Sequence, residues 1–425
     1  MMTVAFLTLG CKLNYAESAT LARQFVQSGF SHVSASEPAD VYVINTCSVT
    51  EHADKKCRQA IRKVRKQQPD AVVAVIGCYA QLKAFDIMNI EGVSLVLGAE
   101  YKGRLVDEVM AYAAKQEESP SPFYHGTSPD HIEAIFPAYS AGEGDETRTR
   151  SFLKVQDGCD YRCSYCTVPL ARGASRNLPI AQVVAQAHEI AAQGVKEIVL
   201  TGVNTGDFGK TTGESFFDLL KALGEVEGIE RYRISSIEPN LLTNEMIDWL
   251  ATQPKFMPHF HIPLQSGCDK VLKKMRRRYV TSFFADKVAY IRERIPYAFI
   301  GIDVIVGFTG ETAEDFEETY LFLQQLAPSF LHVFPYSMRP NTPAVGFPKE
   351  ERVSDAEKTL RASRLGALSD ELHHSFCQAN KGRTEYVLFE GKCKEGMMHG
   401  YTRNYIRVER PFEASLINQI VEVQI

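Results

Sequence analysis

The stretch Asp157-Gly158-Cys159-Asp160-Tyr161-Arg162-Cys163-Ser164-Tyr165-Cys166 decides how the middle of this 425-residue chain is interpreted. Its cysteines have a CxxxCxxC spacing, so one short loop can deliver three thiolates to a small iron–sulfur cluster. A four-iron cluster with three protein thiolates keeps one iron open, as catalytic metal sites keep an open position. The alternatives are a zinc loop or three unrelated thiols, but zinc sites usually use paired spacings and close their coordination shell.

The sequence around this loop indicates a partial barrel over residues 141–368. Strand-like apolar runs and helix-like runs alternate six times there, which predicts a (β/α)6 arrangement. The active site of such a barrel lies at the C-terminal ends of its strands, and the cysteine loop follows the first strand. Each later strand is followed by small or polar residues that can receive a ligand, although any one of these stretches alone fits an ordinary βα loop.

Residues 1–140 predict a doubly wound parallel sheet, with strands at 4–9, 41–45, 71–76 and 93–97 separated by helices. Cys11, Cys47 and Cys78 each lie just past one of the first three strands. An open parallel sheet binds ligands along that edge, so we expect these thiols to converge on a second four-iron cluster. Three buried structural cysteines are the alternative.

Basic residues mark three further regions. The helix predicted over 54–67 carries seven cations, including Lys55 and Lys56, in a chain of formal net charge -5. This helix is either a phosphate-tracking surface or a solvated face. Arg172 and Arg176 follow the cysteine loop and predict contact with a carboxylate or RNA phosphates, with a surface ion pair as the alternative. Arg277 belongs to a second basic cluster at 273–278.

Residues 369–425 predict a small antiparallel β-barrel of four short strands. Tyr401 and Tyr405 alternate with arginines, a pattern that suits stacking on exposed bases, whereas the alternative is a capping β-domain. Residues 115–149 are polar and predict a connection. The composition, 45% hydrophobic and 23% charged, fits a soluble globular protein of two or three domains. Ten cysteines without an export signal or a membrane-spanning stretch predict metal or redox use in the cytoplasm.

The CxxxCxxC loop resembles that of the radical S-adenosylmethionine (SAM) superfamily, and residues 8–14, 45–49 and 77–80 resemble the cysteine motifs of the methylthiotransferase family. The resemblance implies SAM and two [4Fe–4S] clusters, a radical SAM cluster on Cys159, Cys163 and Cys166 and an auxiliary cluster on Cys11, Cys47 and Cys78. It also implies a C-terminal TRAM domain that binds RNA. The SAM contacts it implies are Tyr165, Gly202, Asn204, Ser235, Glu238, Gln265 and Val306.

Residues 8–14, 47–56, 265–267 and 332–337 resemble the subgroup that acts on N6-threonylcarbamoyladenosine at position 37 of tRNA. In the implied chemistry, one SAM methylates sulfur at the auxiliary cluster and a second yields a radical that removes hydrogen from adenine C2, where methylthio is inserted. The implied partners are the tRNA anticodon stem-loop, an electron donor and a sulfur source. The expected substrate contacts are Arg172 and Arg176 for the threonyl carboxylate, and Lys55, Lys56, Arg277, Tyr401 and Tyr405 for RNA.

Three other functions remain open at this point. In the first two, the chemistry is the same, but the substrate is isopentenyladenosine in tRNA or an aspartate of a ribosomal protein. The third alternative is a non-enzymatic RNA-binding protein with structural metal sites.

Overall fold

The computed structural model describes residues 1–114, 121–140 and 149–425. Parts of the predicted connection, 115–120 and 141–148, lie outside these residues, as does the predicted start of the barrel unit at 141. The part between them is not a simple connection, because residues 123–125 add a strand to the first sheet.

The first unit is a six-stranded, wholly parallel sheet with strand order β2-β1-β3-β4-β5-β6. Its central strands are apolar and fully buried, as in a sheet that is covered on both faces. The strands are β1 (Thr3–Thr8), β2 (Ser31–Val33), β3 (Val41–Thr46), β4 (Val72–Gly77), β5 (Leu95–Leu97) and β6 (Phe123–His125). The helices are α1 (Lys12–Gln27), α2 (Glu51–Gln67), α3 (Cys78–Leu82), α4 (Ala84–Met88) and α5 (Leu105–Ala113).

The middle unit is a partial barrel, as predicted. Its six barrel strands are β7 (Arg150–Lys154), β10 (Glu197–Thr201), β11 (Arg231–Ile234), β12 (His259–Gln265), β13 (Phe299–Val306) and β14 (Phe330–Pro335). Two further short strands, β8 (Gln156–Asp157) and β9 (Arg176–Asn177), pair with each other. Two parallel sheets, β11-β10-β7 and β12-β13-β14, are joined by single parallel bridges from Tyr232 to Phe256 and from Ser236 to His261. The short antiparallel pair of β8 and β9 brackets the cysteine loop.

Seven helices accompany these strands, and their buried leucine, isoleucine and phenylalanine side chains form the largest core of the molecule. They are α6 (Val168–Arg172), α7 (Ile180–Ala192), α8 (Phe216–Gly224), α9 (Asn244–Thr252), α10 (Asp269–Lys274), α11 (Thr281–Arg294) and α12 (Ala313–Leu326). Ser215, Thr243 and Thr312 accept hydrogen bonds from the first turns of α8, α9 and α12, which fixes where those helices begin.

The predicted boundary at 368 falls inside one helix, α13 (Asp355–Ala379), so the last unit begins after Ala379. The helix continues because Leu365, Leu368 and Ser369 are buried, and Ser369 bonds to β14. The last unit is an antiparallel sheet with order β17-β16-β15-β18. Its strands are β15 (Thr384–Lys394), β16 (Met397–Thr402), β17 (Arg407–Pro411) and β18 (Ile420–Gln424). In the described parts of the chain, no helix has the length and apolarity to cross a membrane.

Candidate active site

Cys11, Cys47 and Cys78, here called the first triad, meet at one edge of the first sheet. In the sequence, Cys11 comes shortly after the end of β1, and Cys47 and Cys78 directly follow β3 and β4. These three strands are neighbours in the parallel sheet. Gly10 has a φ of 111°, and a Cβ atom there would lie 2.7 Å from Cβ and 3.2 Å from Sγ of Cys47. Only glycine therefore lets the Cys11 loop come this close to Cys47.

Two asparagines hold the loops of the first triad in place. Asn14 donates from Nδ2 to the carbonyl oxygens of Leu9 at 2.7 Å and of Thr46 at 3.0 Å. Asn45 donates in turn to the carbonyl oxygen of Asn14 at 3.0 Å. Burial raises the pKa of Cys47 to about 12, and the neighbouring Cys78 thiol adds to this effect. A bound cluster would therefore have to displace the proton of a thiol that is otherwise neutral.

Cys159, Cys163 and Cys166, the second triad, lie in the loop between β8 and β9. Each sulfur accepts a hydrogen bond: Cys159 from the Tyr161 amide at 3.4 Å, Cys166 from the Val168 amide at 3.4 Å, and Cys163 from Arg277 at 3.2 Å. Burial raises the pKa of Cys159 and of Cys166 to about 12.

Arg277 connects the second triad to the end of β11. Besides Cys163, its guanidinium contacts the carboxylate of Glu238, and it donates to the hydroxyl oxygens of Tyr165 at 3.3 Å and of Tyr279 at 2.8 Å. Burial raises the pKa of Glu238. Arg277 is thus a buried partner of the cysteine loop.

A buried ion network joins the two triads. Arg172 donates to Asn14 at 2.7 Å, to Asp157 at 2.9 Å and to Glu17 at 3.1 Å. Glu17 also accepts from Lys154 at 2.8 Å and from Lys102 at 2.7 Å. Although burial alone would raise it, these cations hold the pKa of Glu17 well below its usual range.

A cavity of about 680 Å³ opens between the three units. This volume is in the range of small-molecule sites. The first unit contributes Cys11 and Lys12, and the barrel contributes Gly202, Ser235 and His261. The last unit contributes Glu390 and Lys392. The cavity thus faces both the first triad and the strand ends where the sequence predicts SAM contacts.

Of the predicted SAM contacts, Gly202 and Ser235 line this cavity, and the amide of Glu238 donates to Oδ1 of Asn204 at 3.5 Å. Ser235 Oγ and Asn204 Nδ2 are buried and have no hydrogen-bond partner among the described residues. Gln265 has a φ of 76° at an irregularity in the pairing of β12 with β13, an unusual conformation for a residue with a side chain. Val306 is fully buried at the end of β13.

Four predicted substrate contacts lie in packed surroundings instead. Arg172 is buried in the ion network, and Arg176 is buried with hydrogen bonds to the carbonyl oxygens of Ala134 and Arg172, so neither offers a free cation. Tyr401 and Tyr405 stack on each other at 4.7 Å between the last sheet and the barrel. The guanidinium groups of Arg150 and Arg233 lie over these two rings, which suits packing between units better than base stacking.

Lys55 and Lys56 are exposed on α2, while Cys57, Ile61 and Val64 bury the opposite face. The sequence analysis missed Lys12 and the pair formed by His261 Nε2 and Asp303 Oδ1 at 2.7 Å. Lys12 directly follows Cys11, a candidate cluster ligand, and this adjacency is already visible in the sequence.

The residues present fit the groups that the sequence implies. All six cysteines of the triads are free thiols, and the hydrogen bonds to the second triad's sulfurs are of the kind that tunes cluster thiolates. The orphaned polar atoms of Ser235 and Asn204 suit a polar cofactor beside the second triad.

Two family profiles match the chain. One, described as "Uncharacterized protein family UPF0004", matches residues 3–98, and the other, "Radical SAM superfamily", matches residues 153–323. Each match covers one of the cysteine triads. Among solved structures, the radical SAM methyltransferase TsrM from Kitasatospora setae has a TM-score of 0.59 over 81% of this chain and 75% of its own, at 15% identity. At that identity the likeness concerns the fold, and it confirms the predicted fold class.

Full-length relatives are closer in sequence. "Threonylcarbamoyladenosine tRNA methylthiotransferase MtaB" from Bacillus subtilis is 40% identical over 100% of this chain and 94% of its own length. The protein of the same name from Aquifex aeolicus is 36% identical over 96% and 97%. "tRNA-2-methylthio-N(6)-dimethylallyladenosine synthase" from Symbiobacterium thermophilum is 33% identical over 98% and 90%. Identity of this extent, along both cysteine-bearing units, shows that the chain belongs to the radical SAM tRNA methylthiotransferase family.

Proposed function

We propose that the protein inserts a methylthio group at C2 of N6-threonylcarbamoyladenosine, at position 37 of tRNA. The observation that carries this proposal is the pair of cysteine triads, one on each of two units, which Arg172 connects near a cavity lined by Cys11 and by ends of the barrel strands. The full-length relatives named MtaB, at 36–40% identity, support this substrate over the dimethylallyl one.

Cys159, Cys163 and Cys166 would hold the [4Fe–4S] cluster that the radical SAM superfamily uses together with SAM. Cys11, Cys47 and Cys78 would hold a second such cluster. When bound, these groups supply a radical strong enough to attack the unactivated C2–H bond and the sulfur that replaces its hydrogen.

The chain's own residues bind and orient the reactants. The hydroxyl of Ser235 and the amide of Asn204 offer buried hydrogen-bonding atoms to the cofactor, and Gly202 gives it backbone access. Arg277 fixes Cys163 relative to Glu238. The cavity in which the substrate base would be held has walls from all three units.

The exposed cations of α2 would contact the phosphates of the anticodon stem-loop. This helix starts a few residues after Cys47, and the amide of Glu51 in its first turn is held by the hydroxyl of Ser337 in the barrel at 3.1 Å. Lys55 and Lys56 therefore lie near a contact between the first unit and the barrel, and their charges would meet tRNA phosphates there. An electron donor and a sulfur source complete the partners of the reaction.

The test is anaerobic incubation of reconstituted protein with SAM, a reductant and tRNA that carries either N6-threonylcarbamoyladenosine or dimethylallyladenosine. Mass spectrometry of the digested nucleosides should show the methylthio product on the first tRNA. Cys159→Ala should abolish SAM cleavage, whereas Cys47→Ala should keep SAM cleavage and lose the product. A product on the dimethylallyl tRNA alone would overturn the substrate, and a fully active Cys159→Ala variant would overturn the radical SAM assignment.

A further inference from the structure

Lys12 directly follows Cys11 and lines the cavity between the three units. Its side chain is exposed, and Arg150, Arg233, Asp303 and Tyr405 lie close enough to influence its charge. A lysine in this position is accessible mainly to what enters the cavity.

The other charged groups around Lys12 already have partners. Arg150 pairs with Glu390 at 2.6 Å and Arg233 with Glu197 at 3.1 Å. Asp303 Oδ1 lies 2.7 Å from His261 Nε2. Lys12 has no hydrogen bond and no ion pair with any described residue.

An ammonium that lines a cavity and has no ion partner in the protein can form a charge-assisted hydrogen bond with an anionic ligand that enters the cavity. Besides the phosphates that every tRNA carries, the substrate proposed above has one anionic group that sets it apart, the carboxylate of its threonyl moiety. The dimethylallyl substituent named for other relatives is apolar and has no such group.

We propose that Lys12 binds the threonyl carboxylate of the substrate and thereby selects N6-threonylcarbamoyladenosine. This inference rests on the proposed function. Lys12 directly follows Cys11 of the first triad. The threonyl carboxylate is several bonds from C2 of the adenine, and a four-carbon side chain can bridge this separation while C2 faces the triads. The ammonium and the carboxylate would form a charge-assisted hydrogen bond.

Lys392 is the alternative cation, because it lines the same cavity from the last sheet and also has no ion partner among the described residues. It is exposed on β15, far along the chain from either triad. Lys12 is preferred because it extends from the loop of Cys11 itself.

The test measures the dissociation constants of anticodon stem-loops that carry either N6-threonylcarbamoyladenosine or unmodified adenosine, with the reconstituted protein. Wild type should bind the modified stem-loop about 10- to 100-fold more tightly, the usual strength of a hydrogen bond to a charged group. Lys12→Gln should remove this preference and leave the affinity for the unmodified stem-loop unchanged. Lys12→Arg, which keeps the charge, should retain part of the preference, and Lys381→Gln, at an exposed residue outside the cavity lining, should retain all of it.

The inference is overturned if Lys12→Gln keeps the wild-type preference, if Lys12→Arg loses it as fully as Lys12→Gln, or if Lys392→Gln alone removes it. Iron content, measured for each variant, separates loss of the carboxylate contact from loss of the neighbouring cluster. If wild type neither modifies nor prefers the threonylcarbamoyl form, the proposed function itself falls. If wild type modifies it and Lys12→Gln keeps the preference, only the role of Lys12 falls.

Discussion

Arg172 of the barrel donates a hydrogen bond of 2.7 Å to Asn14 of the first unit. The other terminal nitrogen of the same guanidinium donates over 2.9 Å to Asp157, two residues before Cys159. Asn14 also holds the two loops that carry Cys11 and Cys47. One buried arginine therefore fixes the position of the first triad relative to the second.

Glu17 neutralises the buried cations at this contact between the units, and removing its charge should destabilise the folded protein. Glu17→Gln would leave Lys102, Lys154 and Arg172 buried without their shared carboxylate. We expect the free energy of unfolding to fall by about 3–5 kcal/mol, the usual effect of breaking a buried ion pair. Urea unfolding followed by circular dichroism measures this change. Glu37→Gln, which alters an exposed glutamate, is the control and should unfold as wild type does.

The stabilisation by Glu17 should also depend on pH in one direction. Its pKa in the folded protein lies well below the value of about 4.5 expected for the unfolded chain. The contribution is therefore complete above about pH 4.5 and is lost as the pH falls through the folded-state pKa. The stability difference between wild type and Glu17→Gln should be constant from neutral pH to about 4.5 and shrink below it. A difference that grows on acidification would contradict this account.

Gly10 should matter for the first triad because of its position against Cys47. In Gly10→Ala the new Cβ would lie 2.7 Å from Cβ of Cys47, so Cys47 must move. Gly29→Ala is a matched control, since Gly29 also has a positive φ, 91°, but nothing lies within 4 Å of a Cβ there. We expect Gly10→Ala to bind about half the iron of wild type after reconstitution and Gly29→Ala to bind as much as wild type. Equal iron in the two variants would argue against the close contact.

Arg277 should influence the chemistry at the second triad. Arg277→Lys keeps a positive charge but cannot contact Cys163, Glu238 and the two tyrosines at once. We expect SAM cleavage to slow by about 10- to 100-fold, a typical effect of altering a group that supports a metal ligand, with a shift in the electron paramagnetic resonance spectrum. Arg276→Lys, at an exposed neighbour, should change neither. An unaltered spectrum in Arg277→Lys would remove the proposed role.

The exposed lysines of α2 should contribute to tRNA affinity through phosphates. The double variant Lys55→Gln/Lys56→Gln should bind tRNA more weakly, and the slope of log affinity against log salt should decrease by about one to two. Lys221→Gln/Lys381→Gln removes the same charge from exposed sites on the barrel and the end of α13, and should leave the slope unchanged. If both double variants lowered the slope equally, the effect would reflect net charge and not a surface on α2.

The places of the six triad cysteines in the fold could be predicted from the sequence, because strand ends and loop spacings are local patterns. The end of a parallel strand has a fixed place in the sheet, so Cys11, Cys47 and Cys78 can be brought to one edge without knowledge of any side-chain contact. The short strands β2 and β6 were not predicted, since each has only three residues, one of them a histidine, and so neither forms an apolar run like that of β5.

Contacts between units were beyond the reach of the sequence. Arg172 and Tyr405 are residue types that are common in binding sites. Only the packing of the units shows that Arg172 is buried in an ion network and that Tyr405 is half-buried between the last sheet and the barrel. Glu17 lies in α1 with no local feature that distinguishes it from a surface glutamate. Its partners Lys102, Lys154 and Arg172 are 85 to 155 residues away along the chain.

The most direct test of the two-cluster site is the iron and sulfide content per chain after anaerobic reconstitution. We expect about eight irons in wild type and about four in each triple variant, Cys11/Cys47/Cys78→Ala and Cys159/Cys163/Cys166→Ala, as two separate four-iron clusters require. About four irons in wild type, and none after replacement of the second triad, would contradict the account and leave a single-cluster enzyme.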